Sequence, residues 1–437
     1  MNQGLPVAVI GAGPVGLAVA AHLLERGLEP LVLEKGREVG SAIRQWGHVA
    51  MFSPWQYCID AAARRLLEGA GWTAPDQARL PTGHELVEHY LEPLAALPVL
   101  RPRIRFGAEV VSVGRLDMDK VRSGGREDAP FHLRLRDPAG GESALLAHAV
   151  IDASGTWGQP NPLGSGGLPL AGEAELWRLG LLDHGIPDVR GARRADFAGR
   201  TTLVAGSGHS AINVVLDLLT LAGEVPGTRI VWVLRRENIE SVFGGGAADQ
   251  LAARGQLGEA ARRAVAADAV EVLAPFRAGA IKRTGTGRIR VEGRLGAAMQ
   301  AREVDRVVVA TGFRPDLDML REVRLGLDSW LECPAALGPM IDPNLHSCGT
   351  VRPHGARELR HPEKDFYILG MKAYGRAPTF LLATGYEQAR SVAAELAGDA
   401  PAAARVELVL PETGVCGVTP KATAKAKVTV GAAACCG

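Results

Sequence analysis

Three closely spaced glycines are the first residues in this chain whose arrangement could do chemistry. Gly11, Gly13 and Gly16, with Pro14 between them, stand where an apolar strand-like run gives way to an apolar helix-like run. In such a pattern the first glycine makes a tight turn, the second lets the backbone approach a pyrophosphate, and the third lets helix and strand pack closely. The helix N-terminus adds free N–H groups and partial positive charge. The pattern predicts a dinucleotide-binding crevice; a glycine-rich turn that binds nothing is the alternative.

An acidic residue follows at the end of the next apolar strand. Glu34 closes the run PLVLE, roughly 20 residues after the first glycine, and Lys35 comes next. A carboxylate at this place can accept hydrogen bonds from ribose hydroxyls. We therefore predict that Glu34 and Lys35 belong to the same nucleotide site as the three glycines.

The same layout recurs near the middle of the chain. The strand-like run TTLVA leads into Gly206 and Gly208, and the third small residue is Ser210 or Ala211. The following strand ends in the pair Arg235–Arg236 instead of an acid. Guanidinium groups there suit the extra 2′-phosphate of NADP, which an acid would repel. We predict a second site that takes NADPH; a solvated basic strand end is the alternative.

Two further segments echo each other, one after each glycine motif. The first, 149–161, contains Ser154 and Gly155, and the second, 306–316, contains Thr311 and Gly312. Both are short apolar strands that run into a turn of small residues, which can cross a bound dinucleotide without a side chain in the way. Site, strand and turn occur twice in the same order, as a duplicated architecture requires.

Composition narrows the class of protein. The 437 residues carry 49 Lys and Arg against 48 Asp and Glu, a net charge of +1, so nucleic acid and anionic membranes are not expected partners. The apolar run 5–24 has the length of a membrane span, but no Lys or Arg precedes it and Gly-Ala-Gly-Pro interrupts it, which favours strand, turn and helix. Six sparse cysteines form no disulfide framework, and a cytoplasmic location is expected.

On these motifs the chain resembles flavoproteins with two dinucleotide-binding domains, particularly flavin-containing monooxygenases and, more distantly, thioredoxin reductases. The resemblance implies an α/β fold of two Rossmann-like domains, FAD in the first site and NADPH in the second. It also implies that the segment with Val110 touches the adenine. The implied organisation is an FAD domain over 1–162 with a helical insertion at about 41–105, an inserted NADPH domain over 163–315, the rest of the FAD domain over 316–400, and a C-terminal tail over 401–437.

In the resembling families the insertion lies over the flavin and shapes access for substrate. Arg44 and Trp46 are predicted to contact the cofactor, and Phe52 and Trp55 to line the same space. Ordinary core or lid packing is the alternative for the aromatic residues.

The tail ends in adjacent thiols, Cys435 and Cys436, after a low-complexity stretch that also holds Cys416. Such ends resemble those of mercuric reductases and of some large thioredoxin reductases. Thiolates select soft ions, and three sulfurs would suit a thiophilic metal or metalloid. An incidental pair is the alternative. Cys348 is a candidate redox partner; its neighbouring histidines match no tetrahedral zinc spacing, so no firm metal site is predicted.

The predicted function is an FAD- and NADPH-dependent oxidoreductase. The first interpretation is a monooxygenase that transfers one oxygen atom from O₂ to a small-molecule substrate with a soft nucleophilic sulfur, nitrogen or thiophilic element. The second is a thiol- or soft-metal (arsenic or mercury) oxidoreductase that uses Cys435 and Cys436, with Cys348. The third is a flavoprotein that only captures metal. The oligomeric state is left open, a homodimer being one alternative.

Overall fold

Two five-stranded parallel sheets organise the chain, and a three-stranded antiparallel sheet accompanies each of them. The structure is a computed structural model that describes residues 4–244, 251–346, 351–377 and 380–408. In chain order its strands are β1 (Val7–Ile10), β2 (Pro30–Glu34), β3 (Ile104–Phe106), β4 (Glu109–Arg115), β5 (Phe131–Arg136), β6 (Glu142–Ala147), β7 (Ala149–Asp152), β8 (Leu182–His184), β9 (Thr201–Ala205), β10 (Arg229–Val233), β11 (Glu271–Leu273), β12 (Phe276–Arg283), β13 (Ile289–Leu295), β14 (Ala298–Val304), β15 (Arg306–Val309) and β16 (Phe366–Ile368).

Helices connect these strands. They are α1 (Pro14–Glu25), α2 (Ser41–Arg44), α3 (Ala61–Gly69), α4 (Gly83–Leu86), α5 (Glu92–Ala96), α6 (Glu173–Arg178), α7 (Arg194–Phe197), α8 (His209–Glu224), α9 (Ala252–Ala266), α10 (Gly338–Ile341), α11 (Ala356–Leu359), α12 (Leu382–Leu396) and α13 (Ala400–Ala404).

The first parallel sheet has the strand order β16-β7-β1-β2-β3. Strands β1 and β7 are buried along their whole length, which explains their uninterrupted apolar sequence. Parallel pairing places Ile10, Leu33, Asp152 and Ile368 at the same carboxyl edge. Helix α1 packs against the neighbouring helices α3 and α12. The carboxyl edge of such a sheet is where ligands bind in open α/β folds.

The second parallel sheet has the order β11-β10-β9-β15-β8 and repeats the first. Strand β9 corresponds to β1, β10 to β2, and β15 to β7, while β12-β13-β14 takes the place of the antiparallel sheet β4-β5-β6. All strands of the second sheet lie in sequence between β7 and β16 of the first. The predicted α/β fold with two Rossmann-like units is therefore confirmed.

The chain passes between the two sheets twice, and the two passages pair with each other. An antiparallel bridge joins Pro160 to Phe313, and the Asn161 N–H donates to the Gly312 carbonyl over 2.9 Å. The Arg314 N–H donates to the Gln159 carbonyl over 2.9 Å. The two connections therefore form one short ribbon.

The segment between β2 and β3 contains the helices α2 to α5. One helical run covers 83–96, with a π turn at Val87–Leu91 just before Pro93. Because Pro93 has no N–H, it cannot bond the carbonyl of His89, four residues earlier. The indole N–H of Trp72 donates to that carbonyl over 3.0 Å instead. The interruption of the helix is thus stabilised by a side chain from the preceding loop.

The apolar run near the start of the chain forms strand β1, the glycine turn and helix α1. This confirms the prediction from its Gly-Ala-Gly-Pro interruption. Among the described residues, no helix combines the length and hydropathy that a membrane crossing requires.

Candidate functional site

The first glycine motif forms a tight turn at the carboxyl end of β1. Gly11 has φ +101°, and a Cβ on it would lie 2.9 Å from the carbonyl oxygen of Ala153. A Cβ on Gly16 would lie 1.9 Å from the carbonyl oxygen of Gly11. Only glycine fits at both places, because the strand, the turn and helix α1 approach each other backbone to backbone.

The middle glycine has a different surrounding. A Cβ on Gly13 would meet no atom within 4 Å, so its lack of a side chain is not needed for packing. It caps the N-terminus of α1, and Pro14 occupies the first helical position. The turn at Gly155, with φ +71°, is equally open. Open space above a helix N-terminus, with backbone on both sides, fits the pyrophosphate of FAD.

Glu34 closes this crevice at the carboxyl end of β2. One carboxylate oxygen accepts from the Ala12 N–H over 2.8 Å, and the other accepts from the Gly36 N–H over 2.7 Å. These bonds fix the carboxylate and leave each oxygen a lone pair for a ribose hydroxyl. The Ala108 N–H donates to the Glu34 carbonyl over 2.9 Å, which places the segment that leads into Val110 beside the same edge. The donor and acceptor set here fits the ribose end of FAD.

The remaining predicted contacts of the first site differ in accessibility. Lys35 is exposed beside Glu34. The guanidinium of Arg44 forms ion pairs with Glu38 and Glu92 and is only one-quarter exposed. The ring of Trp46 packs where a Cβ on Gly83 would sit, 2.9 Å away.

The aromatic residues of the insertion separate into two kinds. Trp55 is fully buried, so the core alternative holds for it. Phe52 instead reaches the second unit, where its ring lies 5.4 Å from the ring of His209 and 5.9 Å from the Arg254 guanidinium. His209 begins α8, directly after the second glycine motif. The insertion therefore contacts the second unit at this point.

The second glycine turn is built like the first. Gly206 has φ +139°, and a Cβ on it would lie 2.2 Å from the Ala310 carbonyl oxygen. The same Cβ would lie 3.3 Å from the Cβ of Ala211, which is fully buried, whereas a Cβ on Gly208 would meet nothing within 4 Å. Ala211, not the partly exposed Ser210, is thus the third small residue of the motif.

Arg235 and Arg236, which follow strand β10, are both exposed. One guanidinium nitrogen of Arg235 donates to the Ser165 carbonyl over 3.1 Å, and one of Arg236 donates to Ser241 Oγ over 3.4 Å. No ion pair with a carboxylate is found for either arginine within the described ranges. Each keeps further N–H donors that could reach a phosphate.

The two small-residue turns hold different partners. Ser154 Oγ donates to Asp152 Oδ1 over 2.6 Å. Thr311 Oγ1 donates to the carbonyl of Asn161 over 3.0 Å, within the ribbon that joins the sheets. Gly312 has φ +88°, and a Cβ on it would lie 3.5 Å from Nδ2 of the same asparagine. The turn that holds Ser154 and Gly155 thus packs against the first glycine turn at Gly11, whereas Thr311 and Gly312 anchor the connection.

A second contact joins the insertion to the connecting ribbon. The indole N–H of Trp157 donates to Gln45 Oε1 over 2.9 Å, and its ring stacks on Phe313 with centroids 4.7 Å apart. Nearby, burial raises the pKa of Asp217 on α8, which faces Arg190 and His48. These contacts set the relative position of the two crevices.

Sequence reasoning missed two supports of the glycine turns. Trp232, buried in β10, donates its indole N–H to the Gly206 carbonyl over 2.8 Å. Lys372, also buried, lies with its Nζ 2.6 Å from Asp152 Oδ2. The sequence signals that could have found them are a tryptophan, which carries an N–H donor, within an apolar strand, and a lysine within an apolar segment.

The described cysteines are not reactive thiols. Cys58 and Cys333 are fully buried, and burial raises the pKa of each thiol to about 12. Over the ranges that the structure covers, no group of three or more His, Cys, Asp and Glu side chains could hold a metal ion. The predicted redox and soft-metal thiols, Cys348, Cys416, Cys435 and Cys436, lie outside the described residues.

Comparison with known proteins finds similarity to FAD-dependent oxidoreductases. Residues 6–71 match the family model "FAD dependent oxidoreductase". Over 244 residues the chain is 28% identical to indole-3-pyruvate monooxygenase YUCCA6 of Arabidopsis thaliana, which covers 54% of this chain and 51% of that protein. It is 26% identical over 249 residues to a Baeyer-Villiger monooxygenase of Streptomyces coelicolor, covering 54% and 40%. The chain thus spans about half the length of the curated relatives it matches.

Solved structures extend the likeness over most of the chain. Bacillithiol disulfide reductase Bdr from Bacillus cereus superimposes with a TM-score of 0.65 at 18% identity, covering 90% of this chain and 99% of that one. DfoA, the cadaverine monooxygenase of Erwinia amylovora, superimposes with a TM-score of 0.62 at 13% identity, covering 96% and 100%. At these identities the likeness establishes the fold alone. Together the comparisons confirm the predicted two-unit flavoprotein fold and the prediction of FAD as cofactor.

Proposed function

We propose that this protein is an FAD-dependent NADPH oxidoreductase that acts as a monooxygenase on a small molecule with a soft nucleophilic atom. One observation carries the proposal: the two glycine turns have the same build, but the residues at the end of the next strand have opposite charge. They are Glu34 in the first unit and Arg235–Arg236 in the second. The acid suits free ribose hydroxyls, and the arginines suit a ribose phosphate. The sequence relatives named above, both monooxygenases, favour this reaction over others of the same fold.

Several features of the first crevice suit FAD. The N-terminus of α1 offers N–H groups to the pyrophosphate above Gly13, and Glu34 offers acceptors to the ribose. Ser154 and Gly155 would border the cofactor along the carboxyl edge of β7. Bound FAD would supply hydride acceptance from NADPH and reaction of the reduced ring with O₂.

The second crevice would hold NADPH by the same means. The N-terminus of α8 follows Gly208, and Arg235 and Arg236 offer exposed donors for the 2′-phosphate. Phe52 and His209 lie where the two units meet. We propose that this contact closes the path between the crevices to water, so that the nicotinamide approaches the flavin in a shielded space.

Anaerobic reduction tests the proposal directly. Purified full-length protein with FAD is mixed with NADPH without oxygen, the flavin absorbance is followed, and air-saturated buffer with an organic sulfide or amine is then added. We expect bleaching by NADPH, followed by recovery with one O₂ consumed for each oxygenated product. Turnover that needs no oxygen would reject a monooxygenase, and protein that stays colourless with added FAD would reject a flavoprotein.

A thiol- or soft-metal-directed reaction at the tail is the second candidate. The observation behind it concerns which thiols can react. Cys58 and Cys333 are buried and their pKa values are raised, so thiol chemistry would have to use the other cysteines. Cys435 and Cys436, with Cys416, provide soft ligands for a trivalent metalloid or Hg²⁺.

Truncation after Gly431 separates the two candidates. NADPH oxidation is measured for the full-length and truncated proteins with an organic sulfide, with a disulfide, and with arsenite or Hg²⁺. A monooxygenase retains its sulfide-dependent rate without the tail. Loss of turnover with the disulfide or the metal, and with those substrates only, would favour the tail reaction.

A further inference from the structure

A buried ion pair lies directly beneath the first crevice. Lys372 Nζ is 2.6 Å from Asp152 Oδ2, and the two side chains are 1% and 0% exposed. Lys372 Nζ also lies 3.1 Å from Ser154 Oγ. The second carboxylate oxygen, Oδ1, accepts from both the N–H and the hydroxyl of Ser154. Every polar atom of the Asp152 side chain is therefore engaged.

The pair joins the loops that border the crevice. Asp152 ends β7 in register with Ile10 of β1, and a Cβ on Gly11 would lie 3.0 Å from the Cα of Ser154. Lys372 belongs to the loop after β16, whose Gly370 would place a Cβ 3.2 Å from the side chain of Val15, in the first turn of α1. The lysine thus joins the loop after β16 to the 152–155 turn, which itself packs against the glycine turn at Gly11.

A buried pair of this kind also carries an electrostatic consequence. With both partners present the site is neutral, but removal of the lysine leaves an uncompensated carboxylate next to a crevice that suits an anionic pyrophosphate. Removal of the carboxylate charge leaves an ammonium group in the same place. The two changes therefore have opposite electrostatic signs, although each breaks the same contact.

We propose that Lys372 is a positioning residue for the flavin: through Asp152 and Ser154 it holds the crevice together and neutralises the buried carboxylate beneath it, and so governs FAD affinity and the flavin midpoint potential. This inference rests on the proposed FAD site. A purely structural pair would loosen the crevice in the same way whichever partner is replaced, whereas an electrostatic role predicts shifts of opposite sign.

The test uses the full-length protein carrying Lys372→Met, Lys372→Arg, Asp152→Asn or Lys372→Met with Asp152→Asn. The FAD dissociation constant is measured by quenching of flavin fluorescence on apoprotein, and the midpoint potential by reductive titration. We expect Lys372→Met to weaken FAD about tenfold, equivalent to about 1.4 kcal/mol, and to lower the potential, because an uncompensated carboxylate opposes added negative charge. Lys372→Arg, which keeps the positive charge, should leave the FAD dissociation constant and the midpoint potential close to those of wild type. Asp152→Asn should raise the potential, and the double variant should return it toward wild type.

Arg115→Met is the matched control, since Arg115 forms another buried pair, with Glu363, at the far end of β4 from Val110. It should lower the urea midpoint without changing FAD affinity or potential. Shifts of the same sign in Lys372→Met and Asp152→Asn, or no shift in either, would overturn the inference while leaving the FAD site intact. Should Lys372→Met not fold, the direction of the Asp152→Asn shift decides. Wild-type protein that binds no FAD would overturn the proposed function as well.

Discussion

Two glycines of the first motif, Gly13 and Gly16, should respond to the same substitution in different ways, one in FAD affinity and the other in stability. In Gly16→Ala the new Cβ would lie 1.9 Å from the Gly11 carbonyl oxygen, so helix α1 must move away from the turn. Overpacking against backbone costs about 1–3 kcal/mol, and the better helix propensity of alanine returns up to about 1 kcal/mol. A contact of 1.9 Å to backbone lies at the upper end of that cost, so we expect the free energy of unfolding of the apoprotein to fall by about 2 kcal/mol.

Gly13→Ala is the matched partner. Its Cβ would meet no protein atom within 4 Å, and its φ of −85° suits alanine. Because glycine is preferred over alanine at a helix N-cap, we expect the stability of the apoprotein to fall by no more than about 1 kcal/mol, less than in Gly16→Ala. The added methyl instead projects into the space that fits the pyrophosphate, so FAD should bind at least about tenfold more weakly, about 1.4 kcal/mol.

Urea unfolding of both apoproteins and flavin-fluorescence titration of both variants measure these two effects separately. A Gly16→Ala apoprotein as stable as wild type would show that the helix does not press on the turn. Unchanged FAD affinity in Gly13→Ala would show that the open space above the helix N-terminus is not where the cofactor lies. Either result refutes the assignment of roles within the motif.

Three further outcomes are expected. Arg235→Ala with Arg236→Ala should raise KM for NADPH at least about tenfold and leave KM for NADH unchanged, because only NADPH offers the 2′-phosphate; steady-state kinetics with both coenzymes would expose an equal effect. Burial lowers the pKa of His361 from 6.5 to about 4, so the unfolded chain binds more protons between these values. This histidine should therefore contribute a loss of stability of up to about 3 kcal/mol as the pH drops from about 6.5 to about 4, and His361→Asn should remove that contribution in urea unfolding. Cys58 and Cys333 should not react with a thiol reagent at pH 8 until the protein is unfolded, and labelling of either in the native state, located by mass spectrometry of peptides, would contradict their burial.

Local patterns carried the prediction of both crevices. The reason is that a glycine turn between a strand and a helix is specified by consecutive residues, as at Gly11 to Gly16 and Gly206 to Ala211. The acid or arginine at the end of the following strand belongs to the same short unit. Even here the sequence left Ser210 and Ala211 open, because only the packing against Gly206 distinguishes them.

Contacts across the fold could not be read in the same way. Lys372 and Asp152 are 220 positions apart, and Arg115 and Glu363 are 248 apart. Each pair meets only because β16 lies beside β7 or because the loop before β16 passes β4. A lysine in an apolar segment signals an unusual environment but does not identify its partner.

The amino-acid sequence by itself determined the two glycine turns, the opposite charges at the ends of the strands that follow them, and the order in which the turns occur. Each of these depends on neighbouring residues and backbone sterics. The tertiary structure decided which side chains support those turns: Trp232 behind Gly206, Lys372 beneath Ser154, and Phe52 against His209. Those partners come from distant parts of the chain, and strand order and the approach of the two units, not local propensity, bring them within hydrogen-bonding or van der Waals distance.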